Sequence, residues 1–112
     1  MTKKTDIFVA VDTSSLENAK KLISSLSNKY CGIKIGKELF TSCGPEIVHW
    51  VKGEGFKVFL DLKFHDIPNT VMKACEAASR INVDIINMHA LGGKEMMLAA
   101  KNAVSNQHIK LI

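Results

Sequence analysis

The 112-residue chain suits one small domain, and with 46% hydrophobic and 23% charged residues it is not a disordered segment, whose apolar content is too low to offset the entropy of folding. Fifteen Lys and Arg against eleven Asp and Glu leave a net charge of +4, spread as single residues and short pairs such as Lys3-Lys4 and Lys20-Lys21. That is a mild bias toward anionic partners and excludes the clustered basic stripe of a nucleic-acid binder.

Cys31, Cys43 and Cys75 are odd in number, widely spaced and free of any C-x-x-C pair, which indicates neither a disulfide framework nor a metal site and points to a reducing cytoplasm. No apolar run approaches the roughly 20 residues of a membrane span. The first six residues lead into a strand pattern rather than a signal-peptide core, so the expectation is an unexported protein without a membrane partner.

In chain order, a first strand is expected over Ile7 to Val11, closed by Asp12. Ser14 and Glu17 match an S-x-x-E capping box, and Leu16, Ala19, Leu22, Ile23 and Leu26 form one stripe, which predicts a helix from about Ser15 to about Asn28. The second strand runs from Cys31 to Ile35. A helix opens at Gly44-Pro45, with Pro in the tolerated first turn, and carries Ile47, Val48, Trp50 and Val51 until Gly53 and Gly55 stop it.

The third strand spans Lys57 to Leu62, and a helix follows Pro68 with Val71, Ala74, Cys75 and Ala78 inward. The fourth strand is Val83 to Met88; the helix after Gly92-Gly93 directs Met97, Ala100 and Val104 inward; a fifth strand begins at Ile109. Trp50 and the Met96-Met97 pair read as core packing.

The strand runs start at 7, 31, 57, 83 and 109, at intervals of 24, 26, 26 and 26 residues. A helix within each interval marks consecutive strand-helix repeats and a parallel sheet. Eight repeats of this size would give roughly 200 or more residues, near the lower limit of a closed (β/α)₈ TIM barrel. The expected fold is therefore α/β: residues 1–112 as the N-terminal half of a single TIM-barrel domain, holding four βα units and the start of strand five. The final His108-Ile109-Lys110-Leu111-Ile112 has a buried-strand pattern without cap or turn, which supports truncation. A five-stranded doubly wound sheet competes, but no Gly-rich dinucleotide fingerprint follows the first strand.

Parallel strands normally read as continuous apolar runs, and the third does not. In Val58-Phe59-Leu60-Asp61-Leu62-Lys63-Phe64-His65-Asp66, strand periodicity sets Asp61 and Lys63 on one face, at the C-terminal strand end where barrel active sites sit. Burying such charges costs several kcal/mol without partners, so they imply mutual pairing or a bound polar ligand. Lys63, between Asp61 and Asp66, reads as a protonated amine and hence a proton donor, with an ordinary rim ion pair as the alternative. Asp12 suits a turn or helix cap as well as a site. Lys34 is harder to explain structurally because it interrupts a strand between Ile33 and Ile35. His65 and His89 read as rim histidines.

Asp61-Leu62-Lys63-Phe64-His65-Asp66-Ile67-Pro68-Asn69-Thr70, after an Asp-terminated first strand and Gly32-Ile33-Lys34-Ile35-Gly36, resembles the orotidine 5′-phosphate decarboxylase family. The resemblance runs from Asp6 to Ile112 and corresponds to the N-terminal half of that enzyme. It implies conversion of orotidine 5′-monophosphate to uridine 5′-monophosphate in pyrimidine biosynthesis, with no metal or organic cofactor, by a homodimer with shared active sites. By this resemblance Asp61 lies against the substrate carboxylate and Lys63 stabilises and protonates the carbon that loses carbon dioxide. Asp66 completes the charged array from the neighbouring subunit, Asp12, Lys34 and Thr70 contact the ribose, and Ile67 borders the base.

D-x-K-x-x-D is shared with the metal-dependent sugar-phosphate decarboxylases and aldolases of the same superfamily. Lys34 argues against that branch, which typically has Glu there. A third reading is a catalytically silent half-barrel whose open sheet edges invite assembly with another chain.

Overall fold

In the computed structural model, which describes residues 5–112, all five apolar runs form strands. The elements are β1 (Phe8–Ala10), α1 (Leu16–Ser24), β2 (Gly32–Gly36), α2 (Lys37–Cys43), α3 (Pro45–Gly53), β3 (Val58–Phe64), α4 (Pro68–Arg80), β4 (Ile85–Met88), α5 (Lys94–Ala103) and β5 (Lys110–Leu111), with a 3-10 turn at Ala90–Gly92. The sheet order is β1-β2-β3-β4-β5, the sequential order that strand-helix repeats produce. Two compact units divide the chain within β3, one ending at Phe59 and the other beginning at Leu60. The Lys3-Lys4 pair lies outside the described residues. No helix among those described is long and apolar enough to cross a membrane.

In the N-terminal unit β1 pairs with β2 in parallel, Phe8 opposite Gly32, Val9 opposite Ile33 and Ala10 opposite Lys34. Pairing extends past the strand ends: Gly32 N–H donates to Ile7 O at 2.8 Å and Val11 N–H to Lys34 O at 3.1 Å. Glycine is required at position 32, where a Cβ would run into the Phe8 ring. That ring meets Phe59 edge to face, with centroids 6.1 Å apart, a favoured aromatic geometry. Ile33, Ile35, Leu39, Ile47, Val48 and Val51 are fully buried and form much of this unit's core.

Three expectations are corrected in this unit. The N-cap of α1 is Ser15, whose hydroxyl accepts from Asn18 N–H at 3.1 Å, whereas Ser14 donates to Glu38 Oε2 at 2.7 Å; α1 also ends at Ser24, short of Asn28. Helix α2 was not expected: it starts directly from β2, its N-cap Gly36 offers no side-chain cap, and Leu39 anchors it. Gly44, at φ +67°, is both the C-cap of α2 and the N-cap of α3, a left-handed backbone that glycine adopts without a Cβ penalty. Trp50 is only half-buried and carries Lys20 Nζ 5.3 Å above its ring, a cation–π contact.

In the C-terminal unit α4 packs against α5 and β4 pairs with β5 in parallel, Ile85 opposite Lys110 and Ile86 opposite Leu111. Val71, Cys75 and Ala78 of α4 are buried, as their spacing predicts. Ala100 and Val104 are buried as expected, but in the first turn of α5 Met96 takes the inward position expected of Met97. Met96 and Ala100 are buried, and Met97 is 38% exposed. The 3-10 turn leads into α5, and Met96 Sδ closes over Gly92.

Candidate active site

The charged segment of β3 lies in the C-terminal unit from Leu60 onward. Asp61 is the sole charged residue among the described buried positions, with 6% of its surface exposed. Its neighbours Leu60 and Leu62 fix the strand, and β periodicity turns the carboxylate to the face that also carries Lys63. Lys63 Nζ donates to Asp61 Oδ1 at 2.8 Å, and Asn87 Nδ2 donates to the same oxygen at 2.7 Å. A carboxylate withdrawn from water needs such charge-assisted donors.

Lys63 has φ +51°, a left-handed conformation that costs about 1–2 kcal/mol for a residue with a Cβ. Its backbone N–H donates to Asn87 Oδ1 at 2.9 Å. About half of its side chain remains exposed, so the ammonium is anchored on one side and open on the other. The arrangement can hold a proton beside a fixed negative charge and present it to a bound molecule.

Asp66 does not share Lys63 as the sequence spacing suggests. Its Oδ1 accepts from Ile67 N–H at 2.7 Å, and among the described residues no ion pair joins it to Lys63. It is exposed, so its charge is available to a group outside this segment. Ile67, 65% exposed, is the N-cap residue of α4 with extended backbone (ψ 154°), Pro68 follows at the first helical position, and Thr70 is exposed in the first turn. Asp66 and Ile67 thus lie on the β3–α4 connection and Thr70 in the first turn of α4, which Pro68 starts.

Asp12 and Lys34 belong to the N-terminal unit. Lys34 is half-buried between the buried Ile33 and Ile35. Asp12 is exposed one residue beyond the Val11 amide that bonds Lys34 O, and a Cβ on Gly36 would lie 3.8 Å from its Oδ1. Asp12 thus lies just past the C-terminal end of β1, beside Gly36 at the end of β2, and Lys34 is the central residue of β2, opposite Ala10.

His65 and His89 face each other just past the ends of β3 and β4, with ring centroids 5.4 Å apart and planes tilted by 45°. A cleft of about 520 Å³ in the C-terminal unit is lined by Met88, Met97, Val104 and Leu111 among others and by none of the candidate site residues. That cleft is mainly apolar, whereas the charged cluster brings convergent polar groups together, as a chemical site requires.

Asn87 is the site residue that sequence reasoning passed over. Its signal was present: an amide between Ile86 and Met88 interrupts an apolar strand as Lys34 does in β2.

Comparison with known proteins follows the same residues. A profile of the orotidine 5′-phosphate decarboxylase / HUMPS family matches residues 5–112. The orotidine 5′-phosphate decarboxylase of Saccharophagus degradans is 51% identical over 104 residues, covering 93% of this chain and 44% of that protein. That of Idiomarina loihiensis is 55% identical over 98 residues, covering 88% of this chain and 42% of that protein. A crystal structure of the orotidine 5′-phosphate decarboxylase from Lactobacillus acidophilus superposes with a TM-score of 0.88 at 33% identity, covering 96% of this chain and 51% of the other. The chain spans about half the length of the relatives it matches.

Proposed function

This chain belongs to the orotidine 5′-phosphate decarboxylase / HUMPS family, and from that premise we propose that it supplies the charged catalytic array of a carboxy-lyase converting orotidine 5′-monophosphate to uridine 5′-monophosphate and carbon dioxide. The observation that carries the reading is the buried Asp61 carboxylate holding the Lys63 ammonium at 2.8 Å. In the reaction the bond from the pyrimidine ring to the carboxylate breaks, and carbon dioxide leaves without the bonding electrons. Lys63 faces the negative charge left on the ring carbon and gives it a proton. A cation held before the charge develops needs no reorganisation when it does, which is the source of electrostatic catalysis. Asp61, fixed by two donors, orients the ammonium and stands against the substrate carboxylate.

Asp12, Lys34 and Thr70 are assigned to the ribose, Ile67 to the base edge, and Asp66 to the array of a partner subunit in a homodimer. The exposure of Asp66 and Ile67 supports roles toward groups outside their own segment. No metal or organic cofactor enters the scheme, and residues 1–112 are assigned to the N-terminal half of one TIM-barrel domain. The three free cysteines support a reducing, cytoplasmic location; neither nucleic acid nor membrane is assigned as a partner.

The test has two readings. Release of labelled carbon dioxide from carboxyl-labelled orotidine 5′-monophosphate, by the assembly in which this chain completes its barrel, is expected to persist with a chelator present. Titration of the 112-residue chain with uridine 5′-monophosphate is expected to move the NMR signals of Lys63 and Asp61. Chelator-sensitive turnover, or turnover of a sugar phosphate in place of the nucleotide, would overturn the assignment.

A further inference from the structure

We infer that Asn87 is the positioning residue of Lys63: one carboxamide holds the lysine backbone in its left-handed turn and braces the carboxylate that its ammonium grips. The chemical part of this role rests on the function proposed for Lys63; the geometric part stands on its own.

The three groups close a ring. Asn87 Oδ1 takes the Lys63 backbone N–H at 2.9 Å, Asn87 Nδ2 gives a hydrogen bond to Asp61 Oδ1 at 2.7 Å, and Lys63 Nζ gives another to that same oxygen at 2.8 Å. The amide direction follows from chemistry, because a backbone N–H can only donate and a carboxylate only accept. The carbonyl must therefore face Lys63 and the amino group Asp61. A strand residue ordinarily gives its N–H to a neighbouring strand's carbonyl; at φ +51° the Lys63 N–H reaches a side chain instead. Asn87 is itself fixed in β4, beside the fully buried Ile86, so the brace comes from the sheet rather than a loop.

A hydrophobic side chain at 87 would remove both bonds at once. It would leave the Lys63 turn without its acceptor and Asp61 with one donor fewer. Asp at 87 distinguishes positioning from simple space filling. When protonated, the introduced carboxyl offers a carbonyl to Lys63 N–H and an O–H to Asp61, reproducing the amide. When ionised, it places a second carboxylate against Asp61, with Lys63 the neighbouring cation and Asp66 on the following loop.

The experiment measures amide hydrogen exchange in the 112-residue chain, expressed as protection relative to an unfolded peptide at the same pH, with Ala100 of α5 as a reporter of the intact fold. Asn87→Ala is expected to lower Lys63 protection about tenfold, the loss of one hydrogen bond of about 1.4 kcal/mol, with Ala100 unchanged. Asn87→Asp is expected to regain Lys63 protection at acidic pH and lose it as the introduced carboxyl ionises, a transition the wild-type amide lacks. In the assembled enzyme Asn87→Ala is expected to lower kcat about a hundredfold, the scale for misplacing a reacting group, with KM for the nucleotide little changed.

Lys63 protection equal to wild type in Asn87→Ala with Ala100 protected, or a pH-independent Asn87→Asp, overturns the proposal. If Asn87→Ala does not fold, Asn87→Asp at acidic pH decides it. A chain whose Lys63 protection depends on Asn87 but which takes no uridine 5′-monophosphate supports the brace and counts against the proposed function. The converse pattern counts against the brace alone.

Discussion

Cys75 makes the stability of the C-terminal unit depend on alkaline pH. Its thiol sits on α4 with none of its surface exposed, and burial pushes its pKa from the ordinary 9.0 up to about 11, because a thiolate there would lack solvation. The unfolded chain releases this proton near pH 9 and the folded chain holds it to about pH 11, so between those values the unfolded state binds fewer protons and stability falls as pH rises. The contribution is fully present below about pH 9 and lost through about pH 11. At about 1.4 kcal/mol per pH unit, roughly 1.4 kcal/mol is gone at about pH 10 and on the order of 2–3 kcal/mol above about pH 11.

The perturbation is Cys75→Ala, compared with wild type by urea unfolding under reductant at about pH 8 and about pH 10. Removing the sulfur has its own cost, but that cost does not vary with pH. All other groups are common to both proteins, so their contributions cancel. The stability difference between wild type and variant is therefore expected to shrink by roughly 1.4 kcal/mol over this interval. A difference that stays constant would refute the argument that burial suppresses the Cys75 thiolate.

Three further outcomes are expected. Lys63→Ala in the assembled enzyme should lower kcat by about a hundredfold or more, the scale for losing an electrostatic stabiliser of developing charge, with nucleotide affinity much less affected; equal losses in kcat and binding would remove the proton-donor role. Ser15→Ala should cost about 1 kcal/mol in thermal or urea unfolding as a lost N-cap, while Ser14→Ala, whose hydroxyl bonds only the exposed Glu38, should cost no more than a few tenths. Met96→Ala should cost about 2–5 kcal/mol by leaving a cavity, whereas Met97→Ala should stay near 0.5 kcal/mol; the reverse order would refute the observed phase of α5.

The strands were legible because each is a dense apolar run with a helix-sized interval on either side, and α3 and α4 because Pro45 and Pro68 mark their starts. Helix α2 was not, since Gly36 supplies no capping side chain and the helix begins where β2 ends, with no intervening turn. At Ser14-Ser15 sequence offers two adjacent hydroxyls and only the backbone decides which one caps. Asp61 and Lys63 stood out because charge is costly on a buried strand. Asn87 obeys the same rule more quietly: a neutral amide interrupts hydrophobic periodicity without the energetic alarm of an ion. The single-strand view of Lys63 between two aspartates failed because it omitted the Ile67 amide, which engages Asp66.

The left-handed backbone at Lys63 sets backbone strain against side-chain pairing at one residue. A Cβ at φ +51° costs about 1–2 kcal/mol that glycine does not incur, and asparagine tolerates this region better than most residues. Among neutral replacements at position 63, all of which take the ammonium from the buried Asp61, glycine and then asparagine are therefore the least destabilising. Both discard the ammonium, so the relieved strain is outweighed by a buried Asp61 carboxylate with one donor fewer, and the same lysine that carries the chemistry holds the site together.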